Sequence, residues 1–268
     1  MSKKKVADRR EFLRGAAAAG AAVAAIVILP RWLTAEQEKK GDLPEMLDIK
    51  KWTYLAENHE YGYLIDVRKC IGCGMCARAC KKENDVPDHY YRTWIERYLI
   101  SENEEVHVDS PHGGLNGFEP VVTGFEVTKA MFVPKLCNHC ENTPCSQVCP
   151  VGASYTTEEG VVLVDEKQCI GCAYCVQACP YGSRFIHPVT HTASKCTWCY
   201  HRINKGIKFG WLPACVHVCP TGTRRFGNLK DFDDPVRKAM ATESVLLLQN
   251  ELLTKPRVAY VGLAKAVR

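Results

Sequence analysis

An α+β fold of two interleaved modules, with an inserted loop-and-strand region and a C-terminal helical extension, is predicted by three features of this 268-residue chain. Sixteen cysteines fall into four blocks with none left over: Cys70-x2-Cys73-x2-Cys76-x3-Cys80, Cys137-x2-Cys140-x4-Cys145-x3-Cys149, Cys169-x2-Cys172-x2-Cys175-x3-Cys179 and Cys196-x2-Cys199-x15-Cys215-x3-Cys219. Blocks two and three are joined by a short, turn-rich linker, whereas residues 81–136 separate blocks one and two. Alternating β-formers in that long gap and an apolar-sided segment beyond the last cysteine supply the remaining elements.

The blocks themselves indicate the chemistry. Three closely spaced thiolates wrap three corners of an iron-sulfur cubane, and a fourth a few residues on, often before proline, ligates the other cluster of a pair. Disulfide frameworks have no reason to repeat this spacing, and zinc sites use two C-x2-C pairs without the extra cysteine. No C-x-x-C is followed by His, so haem c is not indicated. Sixteen ligands imply four [4Fe-4S] clusters. Glycine in Ile71-Gly72-Cys73 and Ile170-Gly171-Cys172 suits a tight turn against inorganic sulfur. Pro150, Pro180 and Pro220 follow the last cysteine of three blocks, while Lys81 stands there in the first.

Linker lengths argue for pairing. The stretch from Pro150 to Gln168, with Val161–Val164 reading as a strand after Gly160, resembles the middle of a bacterial two-cluster ferredoxin. Blocks two and three then form one ferredoxin-like module, and blocks one and four close a second around it. By the crossed-ligand rule, cluster 1 takes Cys70, Cys73, Cys76 and Cys219, and cluster 2 takes Cys80, Cys196, Cys199 and Cys215. Cluster 3 takes Cys137, Cys140, Cys145 and Cys179, and cluster 4 takes Cys149, Cys169, Cys172 and Cys175. Sequential pairing, block one with two and three with four, is the alternative.

Around this core, Tyr91–Tyr98 alternates and reads as a strand, and Ser110–Gly117 reads as a loop. A helix is expected near Asp234–Leu253, with Val236, Met240 and Val245–Leu248 on its apolar side. The outer module spans 60–88 with 190–228, the inner module 128–189, the insertion 89–127 and the C-terminal extension 229–268. His139, His187, His191, His201, His217 and Trp198 lie in or beside cluster blocks, where packing near sulfur is the expectation.

Charge is concentrated at one end. Residues 1–35 hold seven Lys/Arg against Asp8 and Glu11, which accounts for the whole net charge of +5. The remainder is balanced and offers no basic patch for nucleic acid. Asp8-Arg9-Arg10-Glu11-Phe12-Leu13-Arg14 resembles the twin-arginine export motif, and Gly15–Leu29 is an Ala-rich apolar run shorter than the ~20 residues of a free-standing span. Leu33-Thr34-Ala35 leaves both cleavage and retention as an anchor open, with retention favoured. The expectation is a chain exported with its clusters already built, working on the extracytoplasmic (periplasmic) face of the cytoplasmic membrane.

No Walker loop or Gly-x-Gly-x-x-Gly follows a strand, so no catalytic site of its own is expected. With all four blocks in place, residues 60–263 resemble the NrfC and DsrO type of four-cluster subunit. The stretches Arg184–Thr190, Leu212–Thr221 and Thr254–Val258 carry the likeness. That resemblance implies an electron-transfer subunit relaying single electrons to or from a quinone-interacting, NrfD-like integral membrane protein. A further redox subunit, a cytochrome c or iron-sulfur protein, would stand at the other end, as in the DsrMKJOP complex of sulfur metabolism. The alternative is the iron-sulfur subunit of an exported molybdopterin oxidoreductase of polysulfide, tetrathionate or arsenate reductase type.

Overall fold

The computed structural model describes residues 55–267, so the export motif and apolar run lie outside the described residues. Strand β1 (Tyr61–Asp66) leads through a turn at Val67–Lys69 to helix α1 (Met75–Glu83), then to β2 (Thr93–Ile100), β3 (Val106–Asp109) and β4 (Lys129–Leu136). Next come α2 (Pro144–Gln147), β5 (Ser154–Thr156), β6 (Val162–Val164), α3 (Tyr174–Gln177), β7 (Arg184–Ile186) and β8 (Ala193–Lys195). The chain continues through α4 (Tyr200–Ile203), α5 (Ala214–His217), β9 (Arg224–Asn228), α6 (Pro235–Thr242), β10 (Val245–Leu246) and β11 (Val258–Val261). Among the described residues, no helix is long and apolar enough to cross a membrane.

The largest sheet runs β10-β11-β1-β9, with β1 parallel to β11 and antiparallel to β9. All six residues of β1 are buried, because this sheet is covered on both faces. Tyr61, Tyr63 and Ile65 point into a core with Trp198, Phe226, Val258 and Tyr260, while Leu64 packs with Val236, Ala239, Ala259 and Val261 under α6. The pairing of β1 with β9 brings the segment before Cys70 alongside the segment after Cys219.

The expected strand near 91–98 is present as β2, two residues further on; it alternates in two halves, with Thr93 and Ile95 and then Tyr98 and Ile100 buried and the phase changing at Glu96–Arg97. It pairs antiparallel with β3 in the register Arg97↔Asp109 to Ile100↔Val106 and with β4 in the register Thr93↔Leu136 to Ile100↔Lys129. Residues 110–117 form a loop with a short turn at Pro111–Gly114. The remaining sheets are two hairpins, β5–β6 and β7–β8.

The C-terminal segment corrects the sequence reading. Helix α6 starts as expected, with Pro235 in its first turn and the Asp234 carboxylate accepting from Val236 N at 2.7 Å and Asn228 N at 2.8 Å. It ends at Thr242, far short of Leu253. Glu243 is held there by Arg68 and Arg225, and Val245–Leu246 pairs with Tyr260–Val261. A free sheet edge next to an apolar run outweighs the helical spacing of the same residues.

Candidate metal centres

Each cysteine block folds into a tight loop, and in three blocks a short helix opens directly from the C-x2-C loop. Gly72 and Gly171 adopt φ +67° and +69°, the left-handed region that costs glycine nothing. A Cβ on Gly171 would lie 2.3 Å from His191 O, so the close approach itself requires glycine. Helix α1 then presents Cys76 and Cys80, four residues apart, on one buried face. Cys145, Cys175 and Cys215 lie in the first turns of α2, α3 and α5.

The last cysteine of blocks two, three and four enters a repeated turn, Cys-Pro-x-Gly, in which Gly152, Gly182 and Gly222 all have φ between 62° and 65°. The glycine amide closes each turn on the cysteine carbonyl, at 3.3–3.4 Å. The repeat is a sequence signal that cysteine spacing by itself overlooks. Its effect is to aim backbone N–H groups at sulfur. Burial would raise the Cys149 thiol, but amides from Val151 to Ser154 outweigh it and lower its pKa. At Cys219 burial is likewise outweighed, by the amides of Arg224, Thr221 and Thr223 and the Thr221 hydroxyl. At Cys70, Cys145 and Cys140 burial wins, pushing the first two up to about 11 and the third up to about 12, and it likewise raises Cys76, Cys80, Cys179, Cys196, Cys199 and Cys215. Iron must therefore displace protons from most of these thiols on binding.

Cys70, Cys73, Cys76 and Cys219 line one cavity with Arg224, and Cys137, Cys140, Cys145 and Cys179 line another with Arg184. Cys80 is buried in the electrostatic reach of Cys196, Cys215 and Cys199. Cys169 and Cys175 share a small apolar cluster with Cys145; Cys169 Sγ accepts from Ala193 N at 3.3 Å, and Cys172 is exposed. Cys149 lies between α2, which packs on α3, and β5. None of the sixteen cysteines forms a disulfide.

The residues fit iron-sulfur clusters. Among the described residues no three His, Cys, Asp or Glu close on a point that one metal ion could occupy, whereas two groups of four cysteines each line a common cavity. Buried donors also lack partners at these cavities: Nε and Nη1 of Arg184 and Nε of Arg224 make no hydrogen bond. Such groups are costly to bury unless an anion meets them.

Three of the five histidines beside the cluster blocks have structural partners. His139 Nδ1 accepts from Val162 N at 2.9 Å, His187 Nδ1 accepts from the amides of Val189 and Thr190, and His201 pairs with Glu83. Burial first, then Lys195 and Arg184, hold the His139 pKa well below its usual value, so the ring is neutral. Its ring stacks on Trp198 at 4.0 Å between centroids.

Comparison with known proteins agrees with this chemistry. Residues 69–153 and residues 128–229 each match a family described as "4Fe-4S dicluster domain". Over 213 residues the sequence is 40% identical to a tetrathionate reductase subunit of Salmonella typhimurium, covering 79% of this protein and 76% of that one. It is 37% identical over 203 residues to one of the polysulfide reductase chains of Wolinella succinogenes (75% and 94% covered), and 38% identical over 199 residues to protein NrfC of Escherichia coli (74% and 78%). The protein belongs to the NrfC-type iron-sulfur electron-transfer subunits. Its two dicluster domains hold four [4Fe-4S] clusters, as the sixteen cysteines require.

The residues of this NrfC-type protein that sequence reasoning did not single out are cationic. Arg184, Lys195 and Arg224 are each at most 5% exposed, and all three act electrostatically on cluster-block thiols. A signal for two of them existed: Arg184 and Arg224 each stand five residues after the cysteine of a Cys-Pro-x-Gly turn.

Proposed function

We propose that the protein relays single electrons along one row of four clusters, between a quinone-interacting integral membrane subunit of NrfD-like type and a second redox subunit. The clusters supply one-electron redox chemistry; the protein supplies order, insulation and docking. The ligand sets are the nested ones: Cys70, Cys73, Cys76 and Cys219; Cys80, Cys196, Cys199 and Cys215; Cys137, Cys140, Cys145 and Cys179; Cys149, Cys169, Cys172 and Cys175. Two interleaved ferredoxin-like modules result, the outer one closed by the pairing of β1 with β9.

The observation that carries the reading is the adjacency of the sets. Cys76 of the first interacts with Cys215 of the second, Cys196 of the second with Cys137 of the third, and Cys145 of the third packs with Cys175 of the fourth. A row has two ends, and both ends of this one reach the surface. Ile71 and Met75 are exposed beside the first set, and Ile170, Cys172 and Tyr174 beside the fourth.

Cys219→Ser tests the ligand sets. Nested pairing expects loss or conversion of the cluster held by block one, seen by EPR, with the cluster of block three intact; the reverse pattern means sequential pairing.

The site of action we propose is the extracytoplasmic face of the cytoplasmic membrane, reached by the twin-arginine route, with residues 1–35 retained as an anchor. The resemblance of Asp8–Arg14 to that motif supports this. N-terminal sequencing of the isolated protein beginning near Glu36 would remove the anchor. Two partner sets are compatible with the row: a DsrMKJOP-type assembly, and an exported molybdopterin oxidoreductase. The relatives named as tetrathionate and polysulfide reductase subunits favour the second. Co-purification of the native complex decides, a molybdopterin protein pointing to the reductase and a cytochrome c with an NrfD-like protein pointing to the Dsr type.

A further inference from the structure

We infer that Arg224, Lys195 and Arg184 form a set of buried countercharges, one at each of the three steps between consecutive clusters, and that each raises the reduction potential of the two clusters it separates. The inference rests on the nested ligand sets proposed above.

Arg224 opens β9 and lines the cavity of Cys70, Cys73, Cys76 and Cys219. Its Nη2 donates to Thr93 Oγ1 at 2.8 Å and its Nη1 to Tyr63 Oη at 3.4 Å, and Tyr63 Oη in turn lies 3.3 Å from Cys215 Sγ. The guanidinium therefore touches the first set directly and the second through one hydroxyl. Arg184 opens β7 and lines the cavity of Cys137, Cys140, Cys145 and Cys179. Its Nη2 donates to Ser154 Oγ at 2.7 Å, and the thiols its charge acts on, Cys145, Cys137 and Cys175, belong to the third and fourth sets. Lys195, the last residue of β8, donates from Nζ to the carbonyls of Cys196 and Val162. Burial lowers its pKa, while the thiols of Cys137 and Cys145 of the third set and Cys196 of the second act on it to favour the charged form.

Neither arginine has a carboxylate partner among its contacts, and an arginine remains charged inside a protein. A charge so placed costs several kcal/mol unless an anion compensates it. Four thiolates and a cluster are the anion at hand. Reduction adds one further negative charge to the same site, so the cation stabilises the reduced state more than the oxidised one. The two arginines occupy the same offset from equivalent turns in the two modules, Cys179-Pro180-Tyr181-Gly182-Ser183-Arg184 and Cys219-Pro220-Thr221-Gly222-Thr223-Arg224. The repetition marks a built feature of the module and not an accident of packing.

The test is an EPR-monitored potentiometric titration of the full-length, cluster-loaded protein, with the signals assigned by one Cys→Ser variant in each set. Arg184→Gln is expected to lower the potentials of clusters 3 and 4 by at least about 59 mV, tenfold in a one-electron equilibrium, while cluster 1 is unmoved. Arg184→Lys, which keeps the charge, restores most of the shift; a neutral packing role would not discriminate between Gln and Lys. If Arg184→Gln fails to load iron, Lys195→Met carries the test, and clusters 2 and 3 must fall together. Unchanged potentials with full iron content overturn the countercharge. A shift of the expected size in a different pair of clusters overturns the ligand sets instead, and leaves the charge effect standing.

Discussion

The C-x2-C loops of blocks one and three, the ends of the proposed row, and those of blocks two and four, its middle, solve one backbone problem in opposite ways. In all four C-x2-C loops the residue before the second cysteine is left-handed: Gly72 at φ +67°, Gly171 at +69°, His139 at +43° and Trp198 at +52°. At the ends the position is glycine, which accepts this conformation freely, and the isoleucine before it is exposed, Ile71 by 60% and Ile170 by 64%. In the middle the position is a ring, fully buried, and the two rings stack on each other across the seam between blocks two and four. A bulky residue held in this region stores about 1–3 kcal/mol of strain and persists only where its surroundings fix it. The difference teaches that end loops are shaped to be met from outside, and middle loops to hold two halves of one protein together.

The sharpest way to break this comparison is at Trp198. It is among the largest fully buried side chains and also packs edge-on against Phe226 and near Tyr63. Trp198→Ala is expected to cost about 3–5 kcal/mol, measured by anaerobic urea titration through bleaching of the visible cluster absorption. Trp198→Gly is the informative partner. If backbone geometry alone set the residue, glycine would match or exceed the wild type. The stack expects a loss nearly as large as that of alanine, reduced by about 1 kcal/mol because glycine relieves the left-handed strain.

Much of this architecture is written in local pattern, and what was not is non-local. The cysteine blocks, β2 and β6 were legible because spacing and alternation are properties of a few neighbouring residues. The parallel pairing of β11 with β1 was not, since Val258–Val261 is apolar in a way that fits many partners. The end of α6 departs from expectation for the same reason: Val245 and Leu246 have helical spacing, and only the presence of β11 makes them a strand. Arg184 and Arg224 could be found by aligning the Cys-Pro-x-Gly turns against each other, but nothing in a single sequence says that an arginine after a turn is buried. His139 and Trp198 occupy the same position in two C-x2-C loops, but nothing in either motif says that the two loops meet, so each residue alone looked like ordinary packing.

A second comparison separates the two glycine loops. At Gly171 an added Cβ meets a backbone oxygen, His191 O, at 2.3 Å, whereas at Gly72 it meets the ring of Phe132 at 2.7 Å. A ring can rotate and a backbone carbonyl cannot without moving β7–β8. Gly171→Ala is therefore expected to cost about 1–3 kcal/mol in the same urea titration and to weaken retention of iron at cluster 4. Gly72→Ala is expected to cost about 1 kcal/mol. Equal losses at the two positions would mean that backbone conformation alone, and not the close approach to His191, fixes glycine at the fourth set.

The smallest effect on stability is expected at the residues that most concern function. Ile71 and Ile170 cover little of the interior, so Ile71→Ser and Ile170→Ser are expected to stay within about 0.5 kcal/mol of the wild type. Each exposed isoleucine sits next to a cysteine of its block, at the points where the proposed row reaches the surface. If these are the docking ends, one of the two variants slows electron exchange with the membrane partner and the other slows exchange with the second redox subunit, each measured by stopped-flow reduction in the isolated complex. Both variants slowing the same partner would place both ends on one face. Neither slowing either partner would move the docking surface away from the end loops, and the contrast between end and middle would then concern packing alone.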